Sequence, residues 1–344
     1  MGTRRRLSIF VLAVAVLVTA SGFARGGWRL TDTGVTERFR GLAAVSDRVA
    51  WVAGSGGAVL RTVDGGRSWR RVDPPGAAGL QFRDIEAFDR HHAVVLSIGE
   101  GEQSRLYVTG DGGRTWTESF RNDDPRAFYD CVTFLDRRHG LALSDPVDGA
   151  FRILATRDGG RSWRVLPTAG MPPALPGEFA FAASGTCLVS AQGRAWFATG
   201  GGERARVFRT ADGGRTWTVA DTPVPSGPSA GVYSLAFRDA RTGLAVGGDY
   251  VTPDAAPAGA AASRDGGRTW RTARVVPGEY RSGVAWVPGT RGTALAVGPT
   301  GTDVTTDGGR TWREVDGGSF DAVDCVPRAC WASGEQGRVA IARR

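Results

Sequence analysis

Asp64-Gly-Gly-Arg67-Ser-Trp69 decides the fold, because the chain writes the same phrase, D-G-G-R-[ST]-W, five more times. The copies stand at Asp111 to Trp116, Asp158 to Trp163, Asp212 to Trp217, Asp265 to Trp270 and Asp307 to Trp312. Their aspartates are 47, 47, 54, 53 and 42 residues apart. A period of that length, with no helical pattern between copies, predicts a β-propeller with one four-stranded blade per repeat.

Each phrase reads as a tight turn. The aspartate accepts local backbone N–H groups, the two glycines supply positive φ, and the hydroxyl adds a second local bond. The tryptophan opens the next strand and is large enough to wedge between sheets. Alternating strands flank the turn, such as Ala58 to Thr62 before it and Trp163 to Leu166 after it. Upstream, Cys131 to Leu135 and Gly140 to Leu143 form a hairpin through Asp136 to His139. The order is A, B, C, D, with the phrase at the C–D turn. Six blades follow, at roughly 41–72, 80–119, 128–166, 177–220, 231–273 and 280–315. Ser319 to Ala342 supplies strands A, B and C of a seventh, and Trp28 to Thr31 its strand D. The expectation is an all-β, seven-bladed propeller over 25–344, closed by the N-terminal strand, which leaves no open blade edge.

Every basic residue is arginine, and the formal charge is +8. Residues 1–24 read as an export signal: Arg4 to Arg6, the apolar Leu7 to Ala20, then a small-residue cleavage site. Without those three arginines the charge falls by three to +5. The apolar run is short for a membrane anchor, so cleavage is expected, with a secreted or envelope-associated product and no span afterwards. Four cysteines suit an exported chain. Cys325 and Cys330 flank a hairpin turn and predict a disulfide. Cys131 and Cys187, on strands A of adjacent blades, leave two readings open: a bridge or two buried thiols.

These features resemble the photosystem II stability and assembly factor family of propellers, and the turn phrase resembles the Asp-box, or bacterial neuraminidase repeat. The resemblance rests on Phe237-Arg-Asp239 leading to Gly243-Leu-Ala-Val-Gly247, and on Ala296-Val-Gly298 leading to Trp312. It covers nearly all of the mature chain. It implies a propeller whose surface holds partner proteins during assembly, without catalysis.

Catalytic chemistries find little purchase. A sialidase needs an arginine cluster, a Tyr–Glu nucleophile and an acid Asp. Phe151-Arg-Ile-Leu154 resembles its F-R-I-P tag but sits on strand C, where other blades have V-L-R-T. His91, His92 and His139 fall in A–B turns without metal-ligand spacing. Gly99-Glu-Gly101 and Gly200-Gly-Gly202 lack the dinucleotide fingerprint. No cofactor, metal or nucleic acid is expected. The reading is an exported monomeric scaffold for a protein partner or envelope component. The alternatives are an Asp-box glycoside hydrolase or sugar-binding protein, and an oxidoreductase with an unfamiliar cofactor site.

Binding is expected on the face of the B–C and D–A loops, where Leu166 to Glu178, Asp221 to Gly231 and Gly248 to Ala260 are long. Asp145, Asp148, Asp249, Tyr250 and Arg281 are the candidate contacts there. The opposite face carries a ring for an anionic partner: Arg67, Arg114, Arg161, Arg215, Arg268 and Arg310.

Overall fold

The computed structural model describes residues 27–255 and 258–343; the expected export signal lies outside them. Seven antiparallel sheets of four strands each make the propeller. Six blades are continuous in sequence, at 39–71, 81–121, 129–165, 188–221, 230–272 and 283–316. The seventh joins Ala322–Val326, Ala329–Ser333 and Val339–Arg343 to the N-terminal strand Arg29–Thr31. Arg29 faces Ile341 and Thr31 faces Val339, so the two ends of the chain close the ring. Trp28 adds a side-chain bond to Thr302 Oγ1 and packs on Phe320. Among the described residues no helix is long and apolar enough to cross a membrane.

The repeated turn is one hydrogen-bonded clasp. In blade one, Asp64 Oδ1 accepts the backbone N–H of Arg67 and Ser68, and Asp64 Oδ2 accepts the Ser68 hydroxyl. Thr62, two residues earlier, donates its hydroxyl to Asp64 Oδ1 and accepts the N–H of Gly66. The same clasp closes on Asp111, Asp158, Asp212, Asp265 and Asp307. The second glycine is fixed by close approach as well as by φ. At Gly113 (φ 76°) a Cβ would stand 2.6 Å from Val72 of the preceding blade.

The clasps seat Trp69, Trp116, Trp163, Trp217 and Trp270 against a ring. Trp69 meets Trp331 of blade seven and Trp116 meets Trp51 of blade one, both edge to face. Trp51, Trp196 and Trp331 are fully buried. At about 25 cal/mol per Å² over roughly 200 Å², each contributes about 5 kcal/mol before the entropy of ordering is subtracted.

One blade departs from the expected plan. Strand A of blade four is only Leu188–Ala191, not a strand from residue 177. The preceding segment crosses the central channel and plugs it. Arg83 of blade two donates to the Ala182 carbonyl, and Ser184 Oγ donates to the Ser282 carbonyl of blade six. Thr186 shares a hydroxyl bond with Ser234 of blade five. Gly185 lies so close to Asp84 that a Cβ there would collide with the carboxylate. The longer repeat interval of 54 residues, read as loop insertion, is partly this crossing segment.

Both cysteine pairs are bridged, Cys325 to Cys330 as expected and Cys131 to Cys187 between blades three and four. The second bridge anchors the end of the plug and settles the open alternative. It spans 56 residues against 5 for the hairpin bridge. Loop-closure entropy therefore predicts a loss of roughly 4 kcal/mol for Cys131→Ala with Cys187→Ala, and roughly 2 kcal/mol for Cys325→Ala with Cys330→Ala. Denaturant unfolding of the two double variants checks that order.

Candidate functional site

The plug divides the channel into two cups. The upper cup, of about 590 Å³, opens on the B–C and D–A loop face. Part of its lining comes from the start of strand A, where four blades carry a bulge. The extra residues are Arg40, Arg83, Asp130 and Tyr233, and all four line the cup. A bulge inserts one unpaired residue and re-aims its side chain. Here it directs a large polar or aromatic group toward the axis just inside a buried Phe39, Phe82, Tyr129 or Val232.

The cup has three chemically distinct walls. Blades one and two supply guanidinium groups, and blade seven the carboxylate Asp321. Arg38 grips Asp321 with two bonds, at 2.7 and 2.6 Å, and that bond raises the Arg38 pKa. Arg40 stands 3.8 Å from the same carboxylate, and its buried Nε has no hydrogen-bond partner. Burial lowers the Arg40 pKa. Blades four to six supply aromatic rings. Phe181 stacks on Tyr233 at 3.9 Å, and Tyr280 and Tyr250 meet Tyr233 edge to face at 4.8 and 6.4 Å. The Tyr233 hydroxyl donates to the Ser229 carbonyl. Burial pushes the phenols of Tyr233 and Tyr280 well above their usual range, so both stay neutral.

Blade three supplies a carboxyl pair. Asp130 is 1 % exposed. Its Oδ2 accepts no hydrogen bond, and burial together with the Asp145 charge lifts its pKa far up. Asp130 and Asp145 thus form a buried carboxyl pair that holds a proton more readily than a free carboxyl does. Asp145, pushed up to about 7 by burial, also accepts the Ala180 N–H of the plug at 2.8 Å. Glycoside hydrolysis needs two carboxyls about 5 Å or more apart, flanking the bond to be broken. A pair joined to each other does not supply that arrangement.

The five expected contacts separate. Asp145 and Tyr250 line the cup. Asp249 turns its carboxylate to the Val251 N–H. Asp148 lies out on its hairpin, paired with Arg126 at 2.9 Å. Arg281 is 1 % exposed, and Asp303 (2.6 Å) and the Thr300 hydroxyl (2.8 Å) hold its guanidinium. The residues that sequence reasoning passed over, Arg38, Arg40, Arg83, Asp130, Tyr233 and Tyr280, carried one signal. Phe39-Arg40-Gly41, Phe82-Arg83-Asp84 and Tyr129-Asp130-Cys131 each put a polar residue directly after a buried aromatic at the start of strand A.

The lower cup, about 610 Å³, opens on the opposite face and holds Asp84, Glu86 and Asp324. Asp84 accepts the Val132 N–H and Asp324 the Ala44 N–H, each stitching neighbouring blades. Burial raises Glu86 to about 8 and Asp324 to about 6. Among the described residues no group of three or more His, Cys, Asp or Glu is placed to hold a metal ion.

The sequence matches no family model and no curated protein. The fold is that of solved propellers. YCF48 from Cyanidioschyzon merolae is similar at 15% identity, TM-score 0.66, over 92% of this chain and 98% of that one. YCF48 bound to D1 peptide is similar at 14% identity, TM-score 0.64, over 92% and 97%. The WD40 propeller domain of Doa1 is similar at 12% identity, TM-score 0.60, over 92% and 96%.

The titrating groups fix a pH profile. Raised folded-state values, as at Asp145, Glu86 and Asp324, give stability that is full below about pH 4 and lost as pH rises through 6 to 8. Lowered values act the other way. Asp64 and Asp111, held near 2 chiefly by their hydroxyl and N–H donors, give stability present above about pH 4 and lost toward pH 2. The melting temperature is expected to peak near pH 4 to 5 and to fall toward pH 8. Asp145→Asn combined with Glu86→Gln flattens the alkaline limb, and a pH series of thermal melts reads it.

Proposed function

We propose that this protein is an exported, monomeric, non-catalytic scaffold that binds a segment of a partner protein in the upper cup. The observation carrying this reading is the cup itself. It is closed below by the plug and walled by arginines on one side and aromatic rings on the other. Within it, the buried Arg40 Nε has no hydrogen-bond partner among the described residues and meets the Asp321 carboxylate only at 3.8 Å. Rings and guanidinium groups gathered in a partly desolvated hollow are the usual anchors of a protein interface. A buried donor without a partner costs folding energy that an acceptor on a ligand would recover.

Two further facts support it. The similar propeller YCF48 has been solved with a D1 peptide bound. The polar groups of the repeats are engaged in turn clasps, and the Asp130–Asp145 carboxyls are engaged with each other. The two disulfides and the leader-like residues 1–24 favour an oxidising compartment outside the cytoplasm.

A display selection of random peptides on the purified protein supplies the probe. Tyr250→Ala and Arg40→Gln are each expected to weaken the selected peptide at least about tenfold, while Asp249→Asn, outside the cup, leaves it unchanged. Unchanged affinity in both cup variants, with melting temperatures intact, contradicts the reading.

A further inference from the structure

The two faces of the propeller treat charge in opposite ways. On the loop face, arginines are matched with carboxylates: Arg38 with Asp321, Arg71 with Glu37, Arg121 with Glu118, Arg206 with Glu178, Arg281 with Asp303. On the face of the A–B and C–D turns, among the described residues, only Arg137 with Asp89 and Arg238 with Asp239 join an arginine to a carboxylate. The six clasp arginines, Arg67, Arg114, Arg161, Arg215, Arg268 and Arg310, are all exposed, and none makes an ion pair among the described residues. Arg161 and Arg268 only touch the carbonyl of their own clasp aspartate.

More guanidinium groups crowd between the clasps. Arg61, half-buried, has its pKa lowered by burial and then by Arg70, Arg114 and Arg90. Arg209 is lowered by burial and then by Arg268 and Arg194. Like charges therefore crowd the rim, and the clasp aspartates, such as Asp111 beside Arg61 and Asp265 beside Arg209, offset them only in part. Between neighbouring clasps lie two clefts. One, of about 460 Å³, is lined by Arg137, Arg138 and Arg161 beside the clasp Asp158, and the other, of about 390 Å³, by Arg157, Arg164 and Arg215 beside Asp136 and Asp212. Either has room for a phosphate group.

We propose that this face docks on a bilayer surface rich in anionic phospholipid headgroups. A ring of exposed cations at one level suits a laterally extended sheet of phosphates, and each arginine near such a surface adds to the attraction. Single-stranded nucleic acid would need a continuous groove and free aromatic faces for stacking. The clefts are separate instead, and clasp tryptophans such as Trp69, Trp116 and Trp163 are packed on Trp331, Trp51 and Phe134. Docking in this pose turns the upper cup away from the membrane, toward partner segments in solution. It does not depend on what the cup binds.

Co-sedimentation of the purified protein with vesicles tests the proposal, using phosphatidylcholine alone and with about 30 % phosphatidylglycerol. Binding is expected to the anionic vesicles only, and to vanish near 1 M salt, where the Debye length is about 3 Å. Replacing all six clasp arginines by Gln lowers partitioning at least about 100-fold, and replacing them by Lys preserves most of it. Two triple variants, Arg67, Arg114 and Arg161→Gln and Arg215, Arg268 and Arg310→Gln, are each expected to lose about tenfold. They carry the test should the sixfold variant fail to fold. Tyr250→Ala leaves vesicle binding intact. The proposal is overturned by equal binding to neutral vesicles, by no binding, or by clasp variants that bind as before. Tighter binding to duplex DNA than to vesicles, or loss of vesicle binding in Tyr250→Ala, overturns it too.

Discussion

The clasp around each turn aspartate is the constraint on which the rest of the molecule depends. Its carboxylate takes two backbone N–H groups and a hydroxyl at once, which holds the aspartate ionised and the C–D turn in one shape. A fixed turn places the following tryptophan at one height and angle, and the tryptophan sets the spacing between sheets. Six repeats of that geometry, with the N-terminal strand completing the seventh sheet, leave the A–B and C–D end of the propeller nearly invariant around the ring.

Variation is thereby displaced to the other end. Bulges at the start of strand A admit Arg40, Arg83, Asp130 and Tyr233 to the axis without disturbing the clasps. The crossing segment of blade four would be costly if left loose, because its backbone passes through the protein centre. Bonds to blades two, five and six and the Cys131–Cys187 bridge satisfy and anchor it. What would be an open pore becomes a floored cup with one entrance on the loop face. The two ends of one rigid body thus present different chemistry: ion-paired arginines and aromatic rings above, and below a ring of clasp arginines that make no ion pair among the described residues.

The fold was legible because the repeat states its own period and because Trp28 to Thr31 is a strand without a blade of its own. The site was legible only in part. Asp145 lies near the end of strand B of blade three and Tyr250 just past strand B of blade five, ends that are easily placed, and both reach the cup. Arg281 reads as the start of strand A of blade six but stands two residues before that strand, and sequence does not show that Asp303 on the same blade would capture it. The bulges were hidden because a strand with one extra residue still alternates on either side of it. The plug was hidden because Phe179-Ala-Phe181-Ala-Ala-Ser184 has the composition of a core strand, and only the three-dimensional demand for a floor makes it a crossing. The pairing of Cys131 with Cys187 was ambiguous for the same reason: their register depends on where that crossing ends.

The central claim is that a segment of a partner protein binds in the floored upper cup. Amide hydrogen exchange of the whole protein, with and without a selected peptide, tests it most directly. The account predicts new protection confined to the cup lining, around Arg38 to Arg40, Phe179 to Ala183 and Tyr250 to Pro253, with the turn face unchanged. Protection centred on the clasp turns, with the cup exchanging as before, would contradict it.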